Sequence, residues 1–333
     1  MTPRPELQAD LASAYPGARL VPMVGDASTR RFWRLVLPEG GTRVVMDYGS
    51  PWTATPDDLP VSRLLRRAGL PVADVLDARA GSGCLVLEDL GDLTLESALA
   101  ALPEGERGDA ARERLYEAAV DLAVAIARKG SPALRESERA QGPALDAARF
   151  RFEMDFFLEH FVSGLRGLAV GERLREHLHD LADAAARSSR PVLCHRDYHS
   201  RNLMVRDDGS LAMVDVQDAR WGPDTYDLAS LLRDAYVELD EGVVGRMIER
   251  FRVALPADEE AEALRARFDL VAVERMIKAL GTFGYQAVVR QNPRYLEGVP
   301  RTLERLRRTL PLAPSLAPLL DLLQRAGLLD PIG

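Results

Sequence analysis

The sequence predicts an α+β fold of two lobes: a small N-terminal antiparallel sheet lobe with one main helix, and a larger, mostly helical C-terminal lobe with a β-hairpin insert. Three observations predict it. Up to about residue 90 the chain breaks into short strand-type apolar runs around a single helical pattern. Beyond Leu90-Gly91 apolar residues recur at helical spacing. Near residue 191 that spacing is interrupted by three short apolar runs. At 333 residues the chain is long for one hydrophobic core and comfortable for two. The expected boundary is a hinge at 88–92, giving an N-terminal lobe over 1–90 and a helical lobe over 91–333.

In chain order, Phe32 to Leu37 and Thr42 to Met46 are two strands joined by the turn Pro38-Glu39-Gly40-Gly41, a hairpin. Val61, Leu64, Leu65 and Ala68 mark one helix face closed by Gly69. Val72 to Ala78 and Cys84 to Leu87 are two further strands around the turn Ala80-Gly81-Ser82-Gly83. Helical faces follow at Leu115, Ala118, Ala119, Leu122 and Ile126, at Leu158 and Phe161, and at Leu174, Leu178, Leu181 and Ala185. The interruption consists of Pro191 to Cys194, Leu203 to Val205 and Leu211 to Val214, with Asp207-Asp208-Gly209-Ser210 as a hairpin turn. Helices resume near Asp227 and run to the end.

Composition narrows the function. Hydrophobic residues at 47% and charged residues at 28% describe an ordinary globular chain. Its net charge of −8 and the absence of a basic stripe argue against nucleic acid as a partner. No run reaches the ~20 apolar residues of a membrane span, and the first residues do not read as a signal peptide, so a cytoplasmic location with no membrane partner is expected. Nothing implies an obligate protein partner. Cys84 and Cys194 stand far apart in apolar runs and read as small buried residues. The basic residues are lopsided: 43 in all, of which only Lys129 and Lys278 are lysines. Genome composition accounts for such a bias, but it also rules out any mechanism that needs a lysine in the first third of the chain.

The stretch richest in chemistry is His195-Arg196-Asp197-Tyr198-His199-Ser200-Arg201-Asn202, followed by Asp215. Asp197 follows the first strand of the insert, Asn202 precedes the second and Asp215 ends the third, which gathers three oxygen-bearing side chains at one end of a small ribbon. Phosphoryl transfer needs such a set: a carboxylate to orient and deprotonate a hydroxyl, and an amide with a second carboxylate to hold Mg²⁺. Read singly, the three are also loop and strand-end residues. Ahead of the first hairpin, Gly25-Asp-Ala-Ser28-Thr-Arg30-Arg31 suits a phosphate-approaching loop or an ordinary polar turn. Glu88-Asp89-Leu90 suits a strand exit that meets an adenine, or a plain linker.

Taken together, the order of these features resembles the aminoglycoside phosphotransferase and choline kinase branch of the protein-kinase-like superfamily. Within it, several stretches look closest to the bacterial cell-wall amino-sugar kinases, which phosphorylate N-acetylmuramate and N-acetylglucosamine at the anomeric hydroxyl. The match rests on Gly25 to Arg31, Val44 to Asp47, Leu87 to Asp92, His195 to Met204, Val214 to Ala219 and Gly222 to Asp234. The resemblance implies a bilobal protein-kinase-like fold and an ATP- and Mg²⁺-dependent sugar kinase. Asp197 would be the catalytic base and Asn202 and Asp215 the metal ligands. Gly25, Ser28, Arg30 and Arg31 would lie over the ATP phosphates, and Glu88, Asp89 and Leu90 would meet the adenine. One departure stands out. The second strand, where the superfamily keeps a phosphate lysine, reads Arg43-Val44-Val45-Met46-Asp47, and the following helix shows no glutamate partner. Either Arg30 and Arg31, with Arg34 and Arg43 in reserve, replace the lysine, or the chain is a non-catalytic ATP-binding regulator.

The acceptor is constrained separately. Only Gln217 to Thr225 separates Asp215 from the helix expected at Tyr226-Asp227, too short a platform for a peptide, which favours a small molecule. A sugar would need mixed donors and acceptors, and Gln217, Asp218 and Arg233 are candidates. An amino alcohol would call for an aromatic cage, with Trp221, Tyr226 and Tyr285 available, and an aminoglycoside for acidic residues such as Glu153, Asp155 and Glu159, which equally suit a solvated helix face. Asp227 reads as a capping or loop-bracing carboxylate.

Overall fold

The structure, a computed structural model, describes residues 2–23, 30–187, 190–255 and 259–331. They form two compact units: Met1–Thr94 with Asn202–Asp218, and Leu95–Arg201 with Ala219–Gly333.

In the first unit β1 (Arg19–Pro22), β2 (Arg31–Val36), β3 (Thr42–Asp47), β4 (Val75–Arg79) and β5 (Cys84–Glu88) make an antiparallel sheet in the order β1-β2-β3-β5-β4. Strand periodicity sends alternate residues to opposite faces. Trp33, Leu35, Val45, Cys84 and Val86 share one face, which Leu7 and Leu11 of the helix Pro5–Ala14 seal. Met46 and Leu85, with Phe32 and Leu87, share the other, against Leu59 of the helix Asp58–Arg67. The helix Pro5–Ala14 has no counterpart in the sequence expectations. Leu7 and Leu11 are its only buried residues, too few for helical periodicity to register. They are nonetheless almost fully enclosed, and truncating either to Ala costs about 2–5 kcal/mol.

Beyond β6 (Val192–Cys194), which belongs to the other unit, the hairpin β7 (Leu203–Val205) and β8 (Leu211–Met213) joins the sheet unit. Backbone bonds fix it there: Met213 N–H donates to Pro71 O at 2.8 Å and Val205 N–H to Leu93 O at 2.8 Å.

The second unit is mostly helical. It contains the helices Leu95–Ala100, Glu106–Ala125, Ala147–Phe157, Glu172–Ala186, Tyr226–Leu232, Glu241–Ala254, Ala261–Val288, Val299–Thr309 and Ala317–Arg325. Its β6 pairs with β9 (Arg220–Gly222). The single ribbon expected from the sequence is therefore two separate two-stranded ribbons, β6-β9 and β7-β8. Arg220-Trp221-Gly222 has no apolar alternation to announce a strand, and it is this segment that β6 pairs with.

The 28-residue helix Ala261–Val288 packs closely against Ala147–Phe157 and its wider, π-helical continuation Leu158–Leu165. Two glycines allow the approach. A Cβ on Gly281 would lie 2.9 Å from Phe157 Cα, and one on Gly284 2.5 Å from His160 O. Among the described residues no helix is long and apolar enough to cross a membrane.

Candidate active site

The sheet unit assembles a cation between two carboxylates. Asp58 is the first residue of its helix, and Asp215 lies two residues past β8 with a positive φ of 60°. Arg30, just ahead of β2, donates to Asp58 Oδ1 at 2.6 Å and to Asp215 Oδ1 at 2.7 Å. The Tyr48 hydroxyl donates to Asp58 Oδ2 at 2.7 Å, which holds that carboxylate in place. Arg30 thus bridges a helix aspartate and the aspartate beyond β8. On β3, Asp47 is buried and takes Arg4 at 2.6 Å. Asn202 directly precedes β7, and Val214 N–H donates to Asn202 O at 3.1 Å, so Asn202 and Asp215 sit at the same end of the β7-β8 hairpin. An amide and a carboxylate at one hairpin end are oxygen donors of the kind Mg²⁺ prefers, and Asp215 already takes a cation there. The residues fit that ion.

Arg34 and Asp89, both expected near nucleotide, bind each other at 2.6 Å, and Arg34 also takes Asp92 at 2.8 Å. Glu88 accepts from Asp74 N–H at 3.2 Å. Arg31 opens β2 with an exposed side chain, opposite Asp47 in the register. Gly25 and Ser28 lie outside the described residues.

In the helical unit the loop after β6 is tied down through its backbone. Asp227, one residue into the helix Tyr226–Leu232, accepts the N–H of His195 at 2.6 Å and of Arg196 at 3.0 Å. Arg196 has a positive φ of 81°, a strained conformation that these bonds and an Arg275 donation to Arg196 O at 2.9 Å support. Further on, Ser200 N–H donates to Asp234 at 2.8 Å, and the enclosed Tyr198 hydroxyl to Ala119 O at 2.7 Å. Asp227 is thus the loop brace its position suggested. Burial pushes its carboxyl up, against the pull of His195 and the two N–H groups.

That framework presents Asp197 to a cation. Lys278 Nζ stands 3.7 Å from Asp197 Oδ1. Burial pushes the Asp197 carboxyl up, but Lys278, Arg196 and Arg275 outweigh it and hold the group well below the usual carboxylate range. Asp197 is therefore ionised at any working pH.

Other candidates land differently. Arg233 is buried and grips Glu241 with both nitrogens, at 2.5 and 3.0 Å. Gln217 donates to Asp218 at 3.4 Å, and its Oε1 is buried without a donor. Glu153 is 3% exposed, not on a solvated face. The three aromatic residues considered as a cage have separate partners: Tyr226 stacks on Phe150, Tyr285 packs on Phe156 and His160, and Trp221 donates to Ala140 O. The sequence reading missed Lys278, Arg275 and Asp58. The first two had one signal: charged residues placed among the apolar positions of a long helix.

Comparison with known proteins follows this geometry. The model of the phosphotransferase enzyme family (APH) matches residues 19–265. An N-acetylmuramate/N-acetylglucosamine kinase of Pseudomonas aeruginosa is 33% identical over 320 residues, covering 92% of this chain and 88% of that protein. A protein of the same name from Neisseria meningitidis serogroup B is 31% identical over 306 residues, covering 90% and 87%. The solved ethanolamine kinase of Plasmodium vivax superposes with a TM-score of 0.63 at 13% identity, covering 92% of this chain and 84% of that one, a likeness of fold alone.

Proposed function

The chain belongs to the phosphotransferase enzyme family, and from that premise we propose that it is an ATP-dependent sugar kinase acting on the anomeric (C1) hydroxyl of N-acetylmuramate or N-acetylglucosamine, in the recycling of cell-wall sugars in the cytoplasm. The observation that carries the choice of sugar is the shared name of the two bacterial relatives, matched along nine-tenths of this chain. The lack of an aromatic cage among Trp221, Tyr226 and Tyr285 speaks against a choline-like acceptor.

In this reading Asp197 receives the acceptor hydroxyl as a hydrogen bond. Because its carboxylate is so weakly basic, it takes the proton late, as the sugar oxygen bonds to phosphorus and the bond to ADP breaks. Asn202 and Asp215 would hold Mg²⁺, which supplies charge neutralisation at the phosphates when bound. Arg30, braced by Asp58, does the work of the absent lysine, keeping its charge at every working pH. Arg31, Gly25 and Ser28 complete the phosphate loop, and the backbone of Glu88, Asp89 and Leu90 receives the adenine. Gln217 and Asp218 are the acceptor-side donors and acceptors. Arg233 is committed to Glu241 and is not assigned to the acceptor.

ADP release across a panel of amino sugars, other sugars, choline and aminoglycosides tests the proposal. The expected result is turnover confined to the N-acetylated amino sugars, with loss of the product's reducing end. A product that still reduces rules out C1 attack. Turnover with choline or an aminoglycoside alone rules out the sugar. ATP binding without any turnover identifies a regulator.

A further inference from the structure

The helix Ala261–Val288 carries Glu274 and Lys278 one turn apart, among the buried residues Val271, Val273, Met276, Ile277 and Leu280. Glu274 is fully buried, Glu153 is almost as enclosed, and each carboxyl acts on the other. If both carboxyls were ionised, neither could donate. Glu153 Oε2 and both Glu274 oxygens would then have no donor at all. Two like charges in apolar surroundings are costly, and a single proton shared between them removes both the repulsion and the orphaned oxygens. The electrostatics name its owner. Burial, then Glu153, pushes the Glu274 carboxyl well above the usual range. Glu153, despite its burial, is held below that range by Lys278, Arg196 and Arg149.

Lys278 lies in a cluster of charges. Facing or flanking it are Asp197 of the loop, Glu153 of the helix Ala147–Phe157 and Glu274 of its own helix, with Arg196, Arg275 and His199 around Asp197. With Glu274 neutral, Lys278, Arg196, Arg275 and Arg149 face the carboxylates of Asp197 and Glu153. Lys278 is 18% exposed, reaches Asp197 at 3.7 Å, and is one of two lysines in the chain.

We propose that Lys278 is a positioning residue of the phosphoryl transfer, holding and aiming the Asp197 carboxylate, and that one turn away on its helix Glu274 carries the single proton of the buried Glu153–Glu274 pair. This rests on the reading of Asp197 as the base. Lys278→Met is expected to lower kcat by about 30-fold while the KM for ATP changes by less than about threefold, and Lys278→Arg to recover part of that loss. Removing the cation also lets the Asp197 carboxyl rise, so the acid limb of the kcat profile should move to higher pH in Lys278→Met, which loss of packing alone would not do. The pair has its own signature: a protonated-carboxyl C=O stretch at neutral pH in the infrared spectrum, absent from Glu274→Gln. Should Lys278→Met not fold, Lys278→Gln and the infrared comparison decide. Wild-type kcat with an unmoved acid limb in the variant, or no band lost in Glu274→Gln, overturns the inference and leaves the assigned function standing. A wild-type chain that turns over ATP with no sugar overturns the assigned function, and the Lys278 variants are then read in whichever reaction remains, intrinsic ATP hydrolysis included. A chain with no ATP turnover at all, water included, overturns both.

Discussion

The sheet unit and the helical unit hold their central aspartates in opposite ways. Asp215 has a side chain 39% exposed at a hairpin end, and the cation it meets is Arg30, which is shared with Asp58. Asp197 sits in a loop whose N–H groups are consumed by Asp227 and Asp234, whose carbonyl takes Arg275, and whose cation arrives from a closely packed helix. The first carboxylate is partly open to solvent and shares its cation with a second carboxylate. The second takes its cation from the helix Ala261–Val288, which is largely buried. If Asp215 holds an exchangeable ion and Asp197 a fixed direction, as proposed, their different surroundings suit the two tasks.

The comparison can be broken at its strongest point first. Asp197→Ala should cut turnover by about 10²-fold or more while calorimetry still registers ATP binding; near-normal turnover would end its assignment as the fixed, catalytic partner. Arg30→Ala should come next, lowering kcat/KM for ATP by about tenfold to 10²-fold. Arg30→Lys should recover little, since an ammonium cannot span two carboxylates as a planar guanidinium does. Arg31→Ala, on an exposed side chain, should cost clearly less than Arg30→Ala in the same assay, and equal losses would show that the Asp58–Arg30–Asp215 arrangement is not what matters. The smallest effect concerns an ion pair of the sheet unit outside both groups. Hydrogen bonds from Arg79, then Ser82, hold the Asp10 carboxyl down at about 2. A carboxyl lowered on folding contributes stability above its unfolded value of 3.8 that is lost as pH falls through 2. Asp10→Asn should therefore reduce stability at neutral pH by about 1 kcal/mol, allowing for solvent screening, and flatten the acid end of the thermal melting curve between pH 4 and pH 2.

Much of this was legible in the sequence because it was local. The β2-β3 hairpin announced itself by alternation and a Gly-Gly turn, the helix Asp58–Arg67 by spacing, and the common hairpin end of Asn202 and Asp215 by the two short runs between them. Asp227 could be read as a brace because it opens a helix. What escaped depends on contacts between distant residues. Nothing near Asp58 reveals that Arg30 will reach it, and Arg34, held in reserve for phosphate, is committed to Asp89 and Asp92 only once β2 and the chain after β5 have come together. Glu153 read as a solvated residue because its helix carries several charges. Its burial is decided by the helix Ala261–Val288, more than a hundred residues later. The same long helix brings Lys278 to Asp197, and no motif spans that distance.

The two lysines have a practical consequence. They are the chain's entire stock of side-chain primary amines, and they differ: Lys129 is exposed, while Lys278 is largely enclosed beside Asp197. Amine-directed acylation would therefore label one position quickly and the other slowly. In a protein where nearly every positive charge is a guanidinium, that slow label is confined to the neighbourhood of Asp197, and it removes the cation there.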